Sequence, residues 1–190
     1  MTTPEAIANA VNRLCRISHS LQFAHGLNPA QWDALRYIAR ANKYSTTPGN
    51  LAEYLGTTKG TVSQTLISLE TKGLVKRIRC EADRRKVRLG LTAEGEAMLR
   101  IDPIRQIELA SAGLPESDRQ TVHAVLGAIV DHLCLRKDGP HFGVCGECSH
   151  LDRGCGAEAC SGACRCGLTG EALRTDELAQ ICVNFDSGRN

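Results

Sequence analysis

Seven of the ten cysteines fall between Cys145 and Cys182. Cys145 and Cys148 are spaced C-x-x-C, which puts two thiolates on one turn, the usual first half of a metal site. Five others, Cys155, Cys160, Cys164, Cys166 and Cys182, compete to supply the second half. Cys166 and Cys182 are the favoured pair. Cys166 opens the turn-like stretch CGLTGEAL, Cys182 ends a short helical stretch from Thr175, and the block between them reads as structured. The intervening RGCGAEACSGA reads as a Gly/Ala loop. In a reducing compartment such a cluster ligates metal or does redox chemistry in preference to forming disulfides. Zinc is the commoner occupant of four thiolates, but zinc ribbons repeat C-x2-C, whereas here the second pair is C-x15-C. An iron–sulfur cluster suits that split pairing, the surplus cysteines and the small neighbours that let backbone N–H groups approach the sulfurs. His141 and His150 flank the site as alternative ligands or as plain surface residues. Outside the cluster, Cys15 and Cys134 read as small hydrophobes on helix faces. Cys80 sits among basic residues that would favour its thiolate.

A second kind of chemistry is written in charge. Residues 138–190 carry a net −4, so the first 137 carry +6. Lys76, Arg77, Arg79, Arg84, Arg85, Lys86 and Arg88 crowd one stretch against only Glu81 and Asp83. Such a basic stripe is the footprint of a phosphate-binding surface. An enzyme is disfavoured. An all-thiolate site leaves no open position for water, and no nucleophile–base pair stands out.

These groups need elements to hold them. Helical spacing of Ile7, Val11, Leu14 and Leu21 predicts an amphipathic helix over 4–24. Asn28 and Pro29 start a second, with Trp32, Leu35 and Ile38 buried. STTPGNLAEYLG gives a short helix capped by Thr47 and closed by Gly56. TTKGTVSQTLISLETKG gives another, with Val62, Leu66 and Leu69 inward and Gly73 as its stop. The two, joined by LGTT, form a helix-turn-helix. LVKRIRC and KVRLGL alternate apolar and basic residues around EADRR, a β-hairpin. Thr92 caps a helix through about Ile107, and 115–137 forms a last one, with Val122, Leu126, Ile129 and Leu133 aligned. Gly139–Pro140 marks a boundary between a domain over 1–138 and a cysteine-rich extension over 139–190. The fold class is mainly α with a small β-wing, plus a tail whose few large apolar residues require a metal staple. No run is apolar enough to cross a bilayer and the N-terminus lacks a secretory pattern, so a cytoplasmic protein without membrane contact is expected.

On LAEYLGTTKGTVSQTLISLETKGLVKR and DRRKVRLGLTAEG, the sequence resembles the MarR family of winged helix-turn-helix transcriptional regulators over roughly residues 4–137. The Asp83-x-Arg85 pair and Leu91-Thr92-x-x-Gly95 match the family pattern in place and spacing. Double-stranded DNA is the partner this implies, and the residue chemistry agrees. Thr58, Lys59, Thr61, Ser63 and Gln64 lie at the start of the recognition helix, where side chains meet base edges and free N–H groups accept a phosphate. Gln64 suits a bidentate contact to adenine. Arg84, Arg85 and Lys86 would reach phosphate or the minor groove, and the resemblance implies that Asp83 orients Arg85. The terminal helices have apolar faces wider than one small domain covers, so a homodimer on a pseudopalindromic operator follows, as the resemblance also implies. MarR-like tails are similar in running from a C-x-x-C to a CGLTGE-like stretch and an Ile-Cys pair. The expected function is a regulator, a repressor by preference, whose DNA affinity follows an iron–sulfur cluster on Cys145, Cys148, Cys166 and Cys182. The alternative is a structural zinc tail and a small-molecule effector between the terminal helices and the winged domain.

Overall fold

A computed structural model describes residues 3–79, 87–134, 142–154 and 164–188. Helix α1, Pro4–Leu21, is capped by the Thr3 hydroxyl, which accepts from Ala6 N at 3.2 Å. Helix α2, Pro29–Arg40, begins with a reciprocal capping box between Asn28 and Gln31 and buries Trp32, Leu35, Tyr37 and Ile38. Helix α3, Pro48–Tyr54, is capped by Thr47, and helix α4, Lys59–Thr71, by Thr58. Gly56 and Gly73 follow them with φ of +60° and +70°, left-handed conformations that glycine adopts without steric cost. Val62, Leu66 and Leu69 of α4 are buried against α2 and α3, with Leu51, Leu35 and Trp32 in the same core.

Strands β1, Val75–Arg79, and β2, Val87–Leu91, pair antiparallel from Val75↔Leu91 to Arg79↔Val87. Their only fully buried side chains are Val75 and Leu89, which leaves the basic residues of β1 outward. The Thr92 hydroxyl donates to Gly73 O at 2.6 Å and accepts from Gly95 N at 3.0 Å, capping helix α5, Ala93–Leu99. A Cβ at Gly95 would lie 2.1 Å from Leu74 O, so this helix seats on the wing only through a glycine. That contact is the physical content of the Leu91-Thr92-x-x-Gly95 pattern.

The single helix expected from Thr92 to Ile107 is instead two. Helix α5 ends at Leu99 and helix α6 runs Arg105–Ala112. Pro103 lacks an N–H and disfavours helical backbone at Asp102, so the chain turns there despite its continuing apolar period. The freed carboxylate is put to use. Asp102 takes both oxygens to Arg36 Nη1 at 2.9 and 3.0 Å, while Arg36 Nη2 reaches Gln22 Oε1 at 2.5 Å and Asp33 at 2.7 Å. This buried cluster ties the end of α1, the middle of α2 and the α5–α6 turn together. Helix α7, Glu116–Cys134, follows.

The described residues after 141 include two small sheets. Strands β3, Gly143–Val144, and β7, Ile181–Cys182, pair antiparallel; β4, Leu151–Asp152, β5, Cys164–Cys166, and β6, Ala172–Leu173, form a three-stranded sheet. The helical stretch expected from Thr175 is a 3-10 helix over Thr175–Ala179. The tail does not rely on ligands alone. Ile181 is buried in the winged-helix core, and Phe142 packs edge-on against Tyr37 and Tyr54 at centroid distances of 6.3 and 5.3 Å.

Replacing Asp102 with Ala strips the half-buried Arg36 of its best partner while Asp33 and Gln22 remain. The expected loss is roughly 3 kcal/mol of folding stability in urea unfolding. A loss below about 1 kcal/mol would show that the cluster does not organise the turn.

Candidate functional site

Two sites emerge. The first is the outer face of α4. Thr58, Lys59, Thr61, Ser63 and Gln64 are all exposed, directly above the buried Val62, Leu66 and Leu69. Thr58 and Thr61 are partly committed to the helix itself. The Thr58 hydroxyl accepts from Thr61 N at 3.1 Å and lies 2.9 Å from the Thr61 hydroxyl. Lys59, Ser63 and Gln64 present their polar ends outward from the first two turns, where a helix in a major groove meets base edges. Arg77 of β1 is held by Glu70 at 2.9 Å, which fixes the hairpin beside α4. The wing residues Asp83, Arg84, Arg85 and Lys86, and Cys80 beside them, lie outside the described residues.

The second site is a cavity walled by Cys145, Cys148, Cys166 and Cys182, with His150, Tyr44 and Asn42 at its edge. Each thiol comes from a different constraint. Cys145 opens a 3-10 turn over Cys145–Glu147, and Cys148 N donates back to Cys145 O at 3.3 Å. Cys166 ends β5 and starts a turn in which Gly170 N donates to its carbonyl at 2.7 Å. Cys182 ends β7 opposite Gly143, where the Phe185 ring lies 2.5 Å from any added Cβ. Cys164, two residues from Cys166, does not line the cavity; Cys155, Cys160 and His141 lie outside the described residues, as does the side chain of Cys134. Cys15 is exposed on α1.

Sulfur-directed donors surround the cavity. Asn42 Nδ2 donates to Cys145 Sγ at 3.7 Å and Asp186 N to Cys148 Sγ at 3.5 Å. Burial pushes the Cys145 thiol up, against the Asn42 donor, and negative charge on Cys182, Cys148 or Cys166 pushes it further. Burial also acts on Cys166, but the Thr169 hydroxyl and the N–H groups of Thr169 and Leu168 outweigh it and hold that thiol below its ordinary value. Four thiolates in one pocket are therefore unfavourable without a cation. A metal centre reverses the sign of that repulsion, so the donor set fits one. Among the described residues, no three Cys, His, Asp or Glu side chains are drawn together tightly enough for a single ion.

Sequence reasoning missed the residues beneath this cavity. Asn42, Tyr44 and Ser45 belong to a stretch that reads only as the lead-in to α3. Asn42 Oδ1 accepts from Tyr44 N at 3.1 Å, Ser45 N at 3.1 Å and Ser45 Oγ at 2.7 Å, and Ser45 Oγ accepts from Val183 N at 2.9 Å. Asn42 N donates to Ile181 O at 2.9 Å, and Lys43 pairs with Glu171 at 2.5 Å. The available signal was a run of polar turn residues longer than one helix cap requires.

The apolar faces of α1 and α7 lie open. Ile7, Val11, Leu14 and Ile17 are exposed on α1, as are Val122, Val125, Leu126 and Val130 on α7, and α1 buries no residue. Between the end of α1 and the α5–α6 turn runs an open groove lined by His25, Arg100, Asp102 and Arg105. No helix among the described residues is long and apolar enough to cross a membrane.

Residues 25–86 match the model of the MarR family. The fold resembles Streptococcus pneumoniae FabT, solved in complex with DNA, at 26% identity and a TM-score of 0.56, over 70% of this chain and 96% of that one. A MarR transcriptional regulator from Methanosarcina mazei Go1 is similar at 23% identity and a TM-score of 0.57, over 70% and 99% of the two chains. PcaV of Streptomyces coelicolor, solved with its natural ligand, is similar at 18% identity and a TM-score of 0.52, over 70% and 94%. Residues 25–86 thus carry the similarity to the MarR family, and the winged-helix fold is shared with regulators of that type.

The thiol electrostatics predict an order of reaction. Near pH 8, the metal-free chain is alkylated at Cys166 before Cys145, because a depressed thiol holds more thiolate there and a raised one less. Peptide mass spectrometry over a time course reads it, and the reverse order contradicts the site's hydrogen bonding.

Proposed function

We propose that this MarR-type winged-helix regulator acts as a homodimer on a pseudopalindromic operator, and that a metal centre on Cys145, Cys148, Cys166 and Cys182 sets its affinity. The observation that carries the reading is the pairing of a polar, exposed recognition face on α4 with a four-thiol cavity packed against the same small domain. Homodimerisation rests on the open apolar faces of α1 and α7, which a second copy would cover. Each head then offers Gln64 and Ser63 to base edges, with Lys59 and the basic hairpin on phosphates. FabT, which shares the fold, is known in complex with DNA. An iron–sulfur cluster is the preferred occupant, because the second thiol pair is split as C-x15-C instead of repeating C-x2-C, and its neighbours are small. Such a group would supply sensitivity to oxidant or to iron supply; the protein's part is to bind it, exclude water and hold the thiolates.

A second reading keeps the regulator and gives the signal to a small molecule. It is favoured by the open groove between the end of α1 and the α5–α6 turn, whose lining of Arg100, Arg105, Asp102 and Glu108 suits a polar ligand. PcaV, of like fold, is known with its natural ligand.

Two outcomes test the main reading on a duplex obtained by in vitro selection. Gln64→Ala weakens binding by about 1–3 kcal/mol and relaxes preference at one base pair, whereas Lys59→Ala weakens all duplexes alike and lowers the salt slope by about 1. Stripping the metal changes the affinity of the unaltered chain about tenfold or more, a modest coupling of about 1.4 kcal/mol. Equal affinity with and without metal shifts the signal to the groove.

A further inference from the structure

Asn42 occupies a position that neither DNA contact nor metal ligation explains. It is buried, at 8% exposure, and its amide is divided between two parts of the molecule. Nδ2 donates to Cys145 Sγ at the wall of the thiol cavity. Oδ1 holds Tyr44 N, Ser45 N and the Ser45 hydroxyl, closing the turn that precedes α3. Besides its bonds to the tail at Ile181 and Val183, that turn is bonded to the helices and hairpin of the winged domain. Asn50 of α3 donates its Nδ2 to Tyr44 O at 3.1 Å, and Tyr37 of α2 donates to Ser45 O at 2.7 Å. Leu89 N of β2 donates to Thr46 O at 2.6 Å, and Thr47 caps α3.

We propose that Asn42 is a positioning residue that reports the state of the thiol site to α3 and the wing through the 42–47 turn. This rests on the reading that the four cysteines hold a metal centre. A thiolate bound to metal is a hydrogen-bond acceptor with fixed position, and a free thiol is a weak acceptor that can rotate away. Loading the site therefore fixes Nδ2, and fixing Nδ2 fixes Oδ1 on the same planar amide. The turn beneath is ordered when the site is filled and loosened when it is empty. The route differs from one through the dimer helices: it acts inside each head, on the angle between α3–α4 and the hairpin.

The test is amide hydrogen exchange on the full chain, stripped with EDTA and ferricyanide and then refilled either with Fe2+ and sulfide or with Zn2+ alone, with DNA affinity measured on the same samples. Filling is expected to slow exchange at residues 42–47 and at Leu89 by about tenfold, with exchange in the core of α7 unchanged. Asn42→Asp keeps every acceptor of the turn and removes the donor to sulfur; Ser45→Ala keeps that donor and cuts the next link. Both are expected to retain metal and to lose the metal-dependent slowing to within about twofold. The inference is overturned if the unaltered chain shows no such slowing, or if both variants keep it. A chain that takes up no metal overturns it together with the reading beneath. Slowing at 42–47 with unchanged DNA affinity leaves Asn42 as the link and removes the regulatory reading alone.

Discussion

The Ser45 hydroxyl has no access to water, and it donates to Asn42 Oδ1 while accepting from Val183 N. A buried polar group costs free energy unless it is bonded: the hydroxyl donates within its own turn, and Val183 N, from 138 residues on, finds its acceptor there. Meeting that requirement sets the end of α2, the start of α3 and the strand carrying Cys182 in one arrangement. Ala41 and Ile181 add a bridge, and Ile181 places its side chain in the same core as Leu51 and Leu66. The cysteine tail is thus seated on the winged-helix head through backbone and core contacts that do not need metal. Metal would act on a tail already in place, which is the condition for a local change at sulfur to be felt by the head.

Electrostatics divides the labour between the two parts. The first 137 residues carry the positive charge and the tail the negative. The head is suited to phosphate. The tail, with four thiols around one cavity, is suited to a cation. Burial opposes ionisation at Cys145, while the Thr169 hydroxyl and nearby N–H groups favour it at Cys166. Metal uptake at such a site would release protons, so its occupancy would follow pH as well as metal supply.

Much of the head was legible in the sequence because its signals are local. Asn28, Thr47, Thr58 and Thr92 sit at helix starts with their side chains on the expected N–H groups. Val62, Leu66 and Leu69 repeat at the helical period, and Gly73 stops the helix by conformation alone. The break at Pro103 was missed because the apolar period continues across it, and the proline's backbone restriction won over the pattern. The seat of the tail was invisible for a different reason. Its link from Ser45 to Val183 spans 138 residues and depends on one hydroxyl and one backbone N–H, which leave no periodic trace. Cys145-x-x-Cys148 could be read from spacing, but the relation of Cys166 and Cys182 to it depends on strand pairings of two and three residues. No propensity argument resolves elements so short.

Cys145, Cys148, Cys166 and Cys182 are proposed to hold one metal centre. The most direct measurement is the visible spectrum of the chain purified without oxygen, with iron, sulfide and zinc assayed on the same sample and on single Cys→Ser variants. A coloured protein with iron and sulfide in matching amounts is expected, lost on substitution at any of the four positions and retained in Cys164→Ser. A colourless chain with one zinc on the same four cysteines would contradict the cluster and leave the tail a structural staple. Metal that survives substitution of Cys166 and Cys182 would contradict the site itself.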